Sequence, residues 1–271
     1  MRRLPAGATQ LGSRQPSRFD ASKENICIIS NTDPAGEPFK ILGVLFDTKL
    51  KMIKAIHDCA MEAAWKVKSL LRTRRYHSLR DMVNLFKANV LSFLEYRTAA
   101  FYHACTTSLD ILDKVLPRFL AQLGISAKQA FLEFNLAPLS MRRDVAMLGL
   151  IHRCVIGEGP PHFQPFFQLC GASRTHVNTR RNAMLHSKQL VNPLQGRFLE
   201  IARRSALGLV TVYNYLPQEL VDRPTVKDFQ RQLQGLAKDA CRQNFASWEQ
   251  IYSPRVTFYS HPLLKFRQLM S

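Results

Sequence analysis

The stretch PFKILGVLFDTKLKM, Pro38 to Met52, decides how the rest of the chain is read. From Phe39 to Phe46 it is apolar apart from Lys40 and Gly43, and Asp47-Thr48-Lys49 then ends the run. A short apolar run bounded by turn residues reads as a strand, and one without polar alternation predicts cover on both faces. Upstream, NICIIS (Asn25 to Ser30) has the same character. Between them NTDPAGEP carries Asp33-Pro34, Gly36 and Pro38, a strong turn signal. The two runs read as a β-hairpin with a long loop, within residues 19–48. Gly43, in the middle of the second strand, marks a bulge or a close backbone approach.

Working outward, the pattern becomes helical. Ile53, Ile56, Ala60, Ala63, Val67 and Leu70 fall at three- and four-residue steps, with Lys51, Lys54, Lys66 and Lys68 largely off that stripe. After RTRRYH (Arg72 to His77), Ser78 reads as an N-cap, and Asp81 suits the positive end of the helix dipole. Leu79, Val83, Phe86, Val90 and Leu94 predict that helix's buried face. A third helix starts near Ser108, ends at Gly124 and should kink at Pro117. A short helix over 128–134 and a longer one over 140–156 follow, until GEGPPHF (Gly157 to Phe163) breaks the pattern. Residues 171–193 read as a long basic loop and LVTVYNYLP (Leu209 to Pro217) as a short strand or extended piece. Thr225 caps a last amphipathic helix to about Cys241, and the tail reads as irregular. The predicted fold is mainly α. Its parts are a disordered tail over 1–18, the hairpin over 19–48, a helical bundle over 49–157, and a C-terminal helical region over 158–271.

Charge narrows the function. Among 271 residues, 38 Lys and Arg face 20 Asp and Glu, a net of +18. Such an excess points to a polyanionic partner, nucleic acid first. No run of about 18 apolar residues occurs, so no membrane partner is expected. Six scattered cysteines without a C-x-x-C pair fit reduced thiols in an intracellular protein, nuclear or cytoplasmic and not secreted. His152, Cys154, His162 and Cys170 come nearest to a metal set, but their spacing matches no common zinc module, and no bound metal is expected.

Catalytic patterns are missing from the sequence. It has no Asp-Asp pair to hold two metals, no glycine-rich phosphate loop, no G-x-S-x-G and no H-E-x-x-H. Basic clusters stand out instead. Between Lys49 and Lys87 ten Lys and Arg face three carboxylates, a net of +7. Between Arg174 and Arg204 seven face Glu200 alone, a net of +6. A helix face lined with Lys and followed by an Arg cluster can lie along a phosphate backbone. The candidate contacts are Lys51, Lys54, Lys66, Lys68, Arg72, Arg74 and Arg75 in the first cluster, and Arg180 and Arg181 in the second. Phe46, Tyr76, Tyr96 and Tyr102 are candidate base-stacking rings.

The order of these pieces carries a resemblance. PFKILGVLFDTKLKM resembles the phenylalanine-x-x-leucine-glycine-valine segment that follows the catalytic palm in reverse transcriptases of non-LTR retrotransposons. RFDASKENICIIS before it resembles the family's leucine-asparagine-x-x-lysine-(threonine or serine)-glutamate stretch. LRDMVNLFKANVLSFLEYRTAAFYHA, SLDILDKVLPRFLAQLGIS and NLAPLSMRRDVAMLGLIHR resemble successive thumb segments. RRSALGLVTVYNYLPQELVDRPTVKDFQRQL resembles the closing signature, with Tyr213 where tryptophan is usual. The match spans about residues 19 to 235. It implies a primer-grip hairpin, a helical thumb and a C-terminal region that bind an RNA template and DNA primer, or an RNA–DNA hybrid. It implies contacts from Lys23, Lys40 and Gly43 in the hairpin. The family's fingers and palm, with the tyrosine-x-aspartate-aspartate loop, have no counterpart in the sequence. The chain alone is therefore expected not to polymerise, and Mg2+ would belong only to a full-length polymerase. The missing fingers and palm are a further implied partner. Two other readings fit the same residues: a non-catalytic basic RNA-binding or scaffold protein, and a decayed remnant.

Overall fold

The computed structural model describes residues 26–30, 32–170, 186–194, 200–255 and 261–270. The chain is mainly helical, with a small two-stranded antiparallel hairpin near its N-terminus. It divides into two compact units, one up to Leu50 and one from Lys51 onward.

In the first unit the hairpin is tighter than the sequence suggests. Strand β1 (Phe39–Ile41) pairs with β2 (Val44–Phe46), and Phe39 lies opposite Phe46. Their rings stack at 5.6 Å. The turn is Leu42-Gly43, with φ of 48° and 79°. Positive φ at both central residues matches the right-handed twist of paired strands, and glycine reaches it without strain. Gly43 is therefore the turn residue of a hairpin lying wholly within FKILGVLF, rather than a bulge inside one strand. The expected partner run is reduced to one bridge, Ile28 with Ala35. Cover is only partial: Val44 is buried, while its pair partner Ile41 and Leu42 at the tip are exposed.

The second unit opens with α1 (Ile53–Arg72), a single 3-10 turn (Arg74–Tyr76) and α2 (Leu79–Phe86). Ser78 caps α2 as the sequence predicts, its hydroxyl accepting from the Asp81 amide. One π turn (Lys87–Leu91) joins α2 to α3 (Ser92–Tyr96), and α4 (Thr98–Phe101) follows. Val83, Phe86, Val90 and Leu94 face the core through this run as expected, whereas Leu79, expected with them, is exposed on the first turn of α2. The third predicted helix is two, α5 (Thr106–Asp113) and α6 (Val115–Leu123). Proline lacks an N–H and its ring crowds the carbonyl four residues back, so Pro117 interrupts the helix at Lys114, which itself keeps helical dihedrals (φ −71°, ψ −15°). Gly124, at φ 73°, closes α6.

α7 (Ala127–Phe134) and α8 (Leu139–Val155) lead to a 3-10 segment (Pro161–Phe166). Then come α9 (Glu200–Arg204), α10 (Val210–Asn214), α11 (Gln218–Val221), α12 (Val226–Arg242) and α13 (Pro262–Met270). Two expectations fail here. LVTVYNYLP is helical at its centre: its β-branched residues suggested a strand, but Val210, Tyr213 and Leu216 all turn inward at helical spacing. The tail is not wholly irregular, since α13 buries Leu263 and Phe266.

α8 is the axis of this unit. It packs along α12, and its buried side chains include Arg143, Asp144 and His152. Each polar group is paired, as burial demands. Arg143 donates two bonds of 2.7 Å to the Asp113 carboxylate. The Tyr102 hydroxyl donates to Asp144 at 2.7 Å. His152 Nε2 donates to the Arg223 carbonyl at 2.9 Å, so Nδ1 accepts from the Tyr213 hydroxyl at 3.1 Å. The Phe229 ring stacks on the imidazole at 4.1 Å. Burial holds His152 below its ordinary pKa, in keeping with a neutral ring.

Asp144 has a pKa raised to about 7; burial is the main cause, opposed by the Tyr102 hydroxyl, Arg255 and Arg143. A carboxyl raised on folding stabilises the fold while protonated. That contribution is complete below about pH 4 and lost as pH rises towards 7. His152, His186 and His261, all lowered by burial, act in the opposite sense. The difference between wild type and Asp144→Asn isolates the carboxyl. Urea denaturation should show wild type losing stability relative to Asp144→Asn between pH 4 and 7; parallel curves would contradict the assignment.

Candidate nucleic-acid interface

α1 owes its two faces to its sequence. Ala55, Ile56, Cys59, Ala60, Ala63 and Val67 are buried, and small residues among them let neighbouring helices approach closely. Burial pushes the Cys59 thiol up to about 11. On the opposite face Lys54, Asp58, Met61, Trp65, Lys68 and Arg72 follow one another at steps of four and three, all exposed. This is one continuous stripe along the helix.

Trp65 stands at its centre with 59% of its surface exposed. The Lys68 ammonium lies 5.2 Å from its ring centre. Beyond Arg72 the 3-10 turn repeats the pairing, with the Arg75 guanidinium 4.7 Å from the exposed Tyr76 ring. Cations held over aromatic rings are the parts that a single-stranded nucleic acid requires: phosphates meet the charge, and bases meet the ring faces.

The predicted contacts separate in space. Lys54, Lys68, Arg72 and Arg75 point outward on this stripe or its extension. Lys51 is exposed just before α1. Lys66 turns to the side, where it faces Glu62 at 3.7 Å and the Phe93 ring at 4.9 Å. Arg74 donates from Nη1 to the Gln122 carbonyl, which brings the C-terminal ends of α1 and α6 together. In the first unit Lys40 is exposed on β1 and Gly43 sits at the hairpin tip, with open space where a Cβ would be. Lys23, Arg180 and Arg181 lie outside the described residues.

The aromatic candidates divide likewise. Tyr76 and Tyr96 are exposed, at 69% and 62%. Tyr102 is buried and spent on Asp144, so it cannot stack a base. Trp65 was not among the rings expected to stack. Its signal was present nonetheless, since it falls with the lysines and off the apolar stripe.

Among the described residues no group of His, Cys, Asp and Glu could hold a metal ion, and no helix is long and apolar enough to cross a membrane. No family model matches the chain, and neither a curated protein nor a solved structure matches it significantly.

Trp65→Ala should weaken single-stranded RNA binding by about 1–3 kcal/mol, read by fluorescence anisotropy. Because the side chain is exposed, stability in urea should change by no more than about 0.5 kcal/mol. Unchanged affinity would remove Trp65 from the interface.

Proposed function

We propose that this chain is a nucleic-acid-binding region corresponding to the thumb and C-terminal part of a non-LTR retrotransposon reverse transcriptase. It binds a template–primer mainly through phosphates and does not polymerise alone. The observation that carries the reading is the exposed stripe of Lys54, Trp65, Lys68 and Arg72, continued by Arg75 and Tyr76. The order of sequence segments that resemble the family supports it, as does the net charge of +18. The exposed apolar tip of the first unit, Ile41 and Leu42, suits a surface that packs against a palm.

Binding of this kind is strongly salt-dependent. Contacts from Lys54, Lys68, Arg72 and Arg75 to four duplex phosphates give a log–log slope of about −3.6, at about −0.9 per phosphate. Replacing Lys68, Arg72 or Arg75 with Ala should each flatten that slope by about 0.9. A slope that ignores all three would make the stripe a solvated helix face.

A recessed primer–template should bind more tightly than a blunt duplex or single-stranded RNA of the same length. Equal affinity for all three would favour a general basic RNA-binding or scaffold protein. Metal-dependent primer extension by the chain alone would contradict the statement that it does not polymerise.

A further inference from the structure

Beside the basic stripe, the surface dips between α1 and the α5–α6 pair. Met61, Ala64 and Leu71 wall the groove on one side, and Ile111 and Val115 on the other. Met61 and Ile111 are solvent-exposed in spite of their apolar chemistry, at 51% and 38%. The rim consists of His57, Lys68, Arg118 and Gln122; no carboxylate lines the groove. Along α1 the groove runs from His57 to Leu71, about 21 Å at 1.5 Å per residue.

Its chemistry differs from that of the adjacent stripe. No Phe, Tyr or Trp ring lines it, and His57 at one end of the rim offers a base only a single small ring. A phosphate chain gains nothing from an apolar floor. An apolar trough four turns long with a polar rim suits a helix that lays one face into it, anchored at i, i+3, i+4 and i+7.

Charge selects the occupant. The charged groups that line the groove are Lys68 and Arg118, with Asp58 standing 3.9 Å from His57 at one end without lining it, and the two cations favour acidic flanks on the incoming helix. A second copy of the chain would bring a net charge of +18 of its own. The chain's own stretches outside the described residues have the wrong sign as well. Residues 1–25 carry Arg2, Arg3, Arg14, Arg18 and Lys23 against Asp20 and Glu24, and residues 171–185 carry Arg174, Arg180 and Arg181 with no carboxylate.

We propose that the groove between α1 and α5–α6 docks an amphipathic helix of a separate protein, apolar on one face and flanked by Asp and Glu. Complementary charge sets the partner and speeds encounter, and burial of the apolar face holds the complex. Lys68 belongs to both surfaces, while Ala64 and Arg118 belong to the groove alone.

The test uses the full chain and a labelled helical peptide of about 14 residues, the groove's length in α-helical rise. Leucines occupy one face of the peptide and glutamates flank them; a twin peptide carries lysine in place of every glutamate. Anisotropy should show the acidic peptide binding at least about tenfold more tightly than its twin. Arg118→Glu should reduce or reverse that preference, and Ala64→Gln, which projects into the groove from an exposed position on its wall, should weaken the acidic peptide. Both variants should keep the wild-type melting curve and bind RNA as wild type does. Equal binding of the two peptides, no binding of the acidic one, or indifference to both variants would each overturn the proposal.

Discussion

Everything in the larger unit depends on α8 being buried on nearly all sides while carrying charged groups. A buried arginine, aspartate and histidine on one helix tolerate only those neighbours that complete their bonds. Asp113 must stand at the end of α5, Tyr102 at the end of α4, and Tyr213 and the Arg223 carbonyl around α10 and α11. Breaking one of these bonds strands a desolvated group, which costs more than the bond itself contributes. The polar pairs thereby fix α5, and α5 with α6 forms the surface on which α1 lays its apolar face.

The exposed face of α1 follows from that constraint. Once Ile56, Ala63 and Val67 are committed inward, helical geometry leaves Lys54, Trp65, Lys68 and Arg72 no choice but solvent. Arg74 then pins the end of α1 to α6 through the Gln122 carbonyl, so the Arg75–Tyr76 turn continues the stripe at a set place. The packing that stabilises the unit and the display that would bind nucleic acid are two sides of one helix.

Local chemistry made much of this legible. Ser78 and Thr225 were readable as caps because a side-chain oxygen three residues before an amide satisfies it whatever the tertiary context, and Gly124 because a left-handed closing residue favours glycine. The tail reads as irregular in the sequence, and that reading misses the helix that starts at Pro262. What was not legible depends on distant partners. The strand-like LVTVYNYLP becomes helical around a tyrosine that answers His152, sixty-one residues away. Tyr102 looked available for stacking until Asp144 claimed it. The hairpin register turned on which glycine makes the turn, and Gly36 and Gly43 both adopt positive φ. Of the candidate site, the basic residues were visible in the sequence; their division into outward-facing Lys68 and Arg72 and engaged Lys66 and Arg74 was not.

Nucleic acid bound along the outer face of α1, as proposed, would lie against the Trp65 and Tyr76 rings. Ultraviolet crosslinking of the chain to a uniformly labelled single-stranded RNA, with adducts mapped by mass spectrometry, tests it directly, because aromatic rings stacked on bases crosslink where they touch. Adducts are expected at Trp65 and Tyr76. Adducts confined to α12 and α13, with none on α1 or the turn after it, would contradict it.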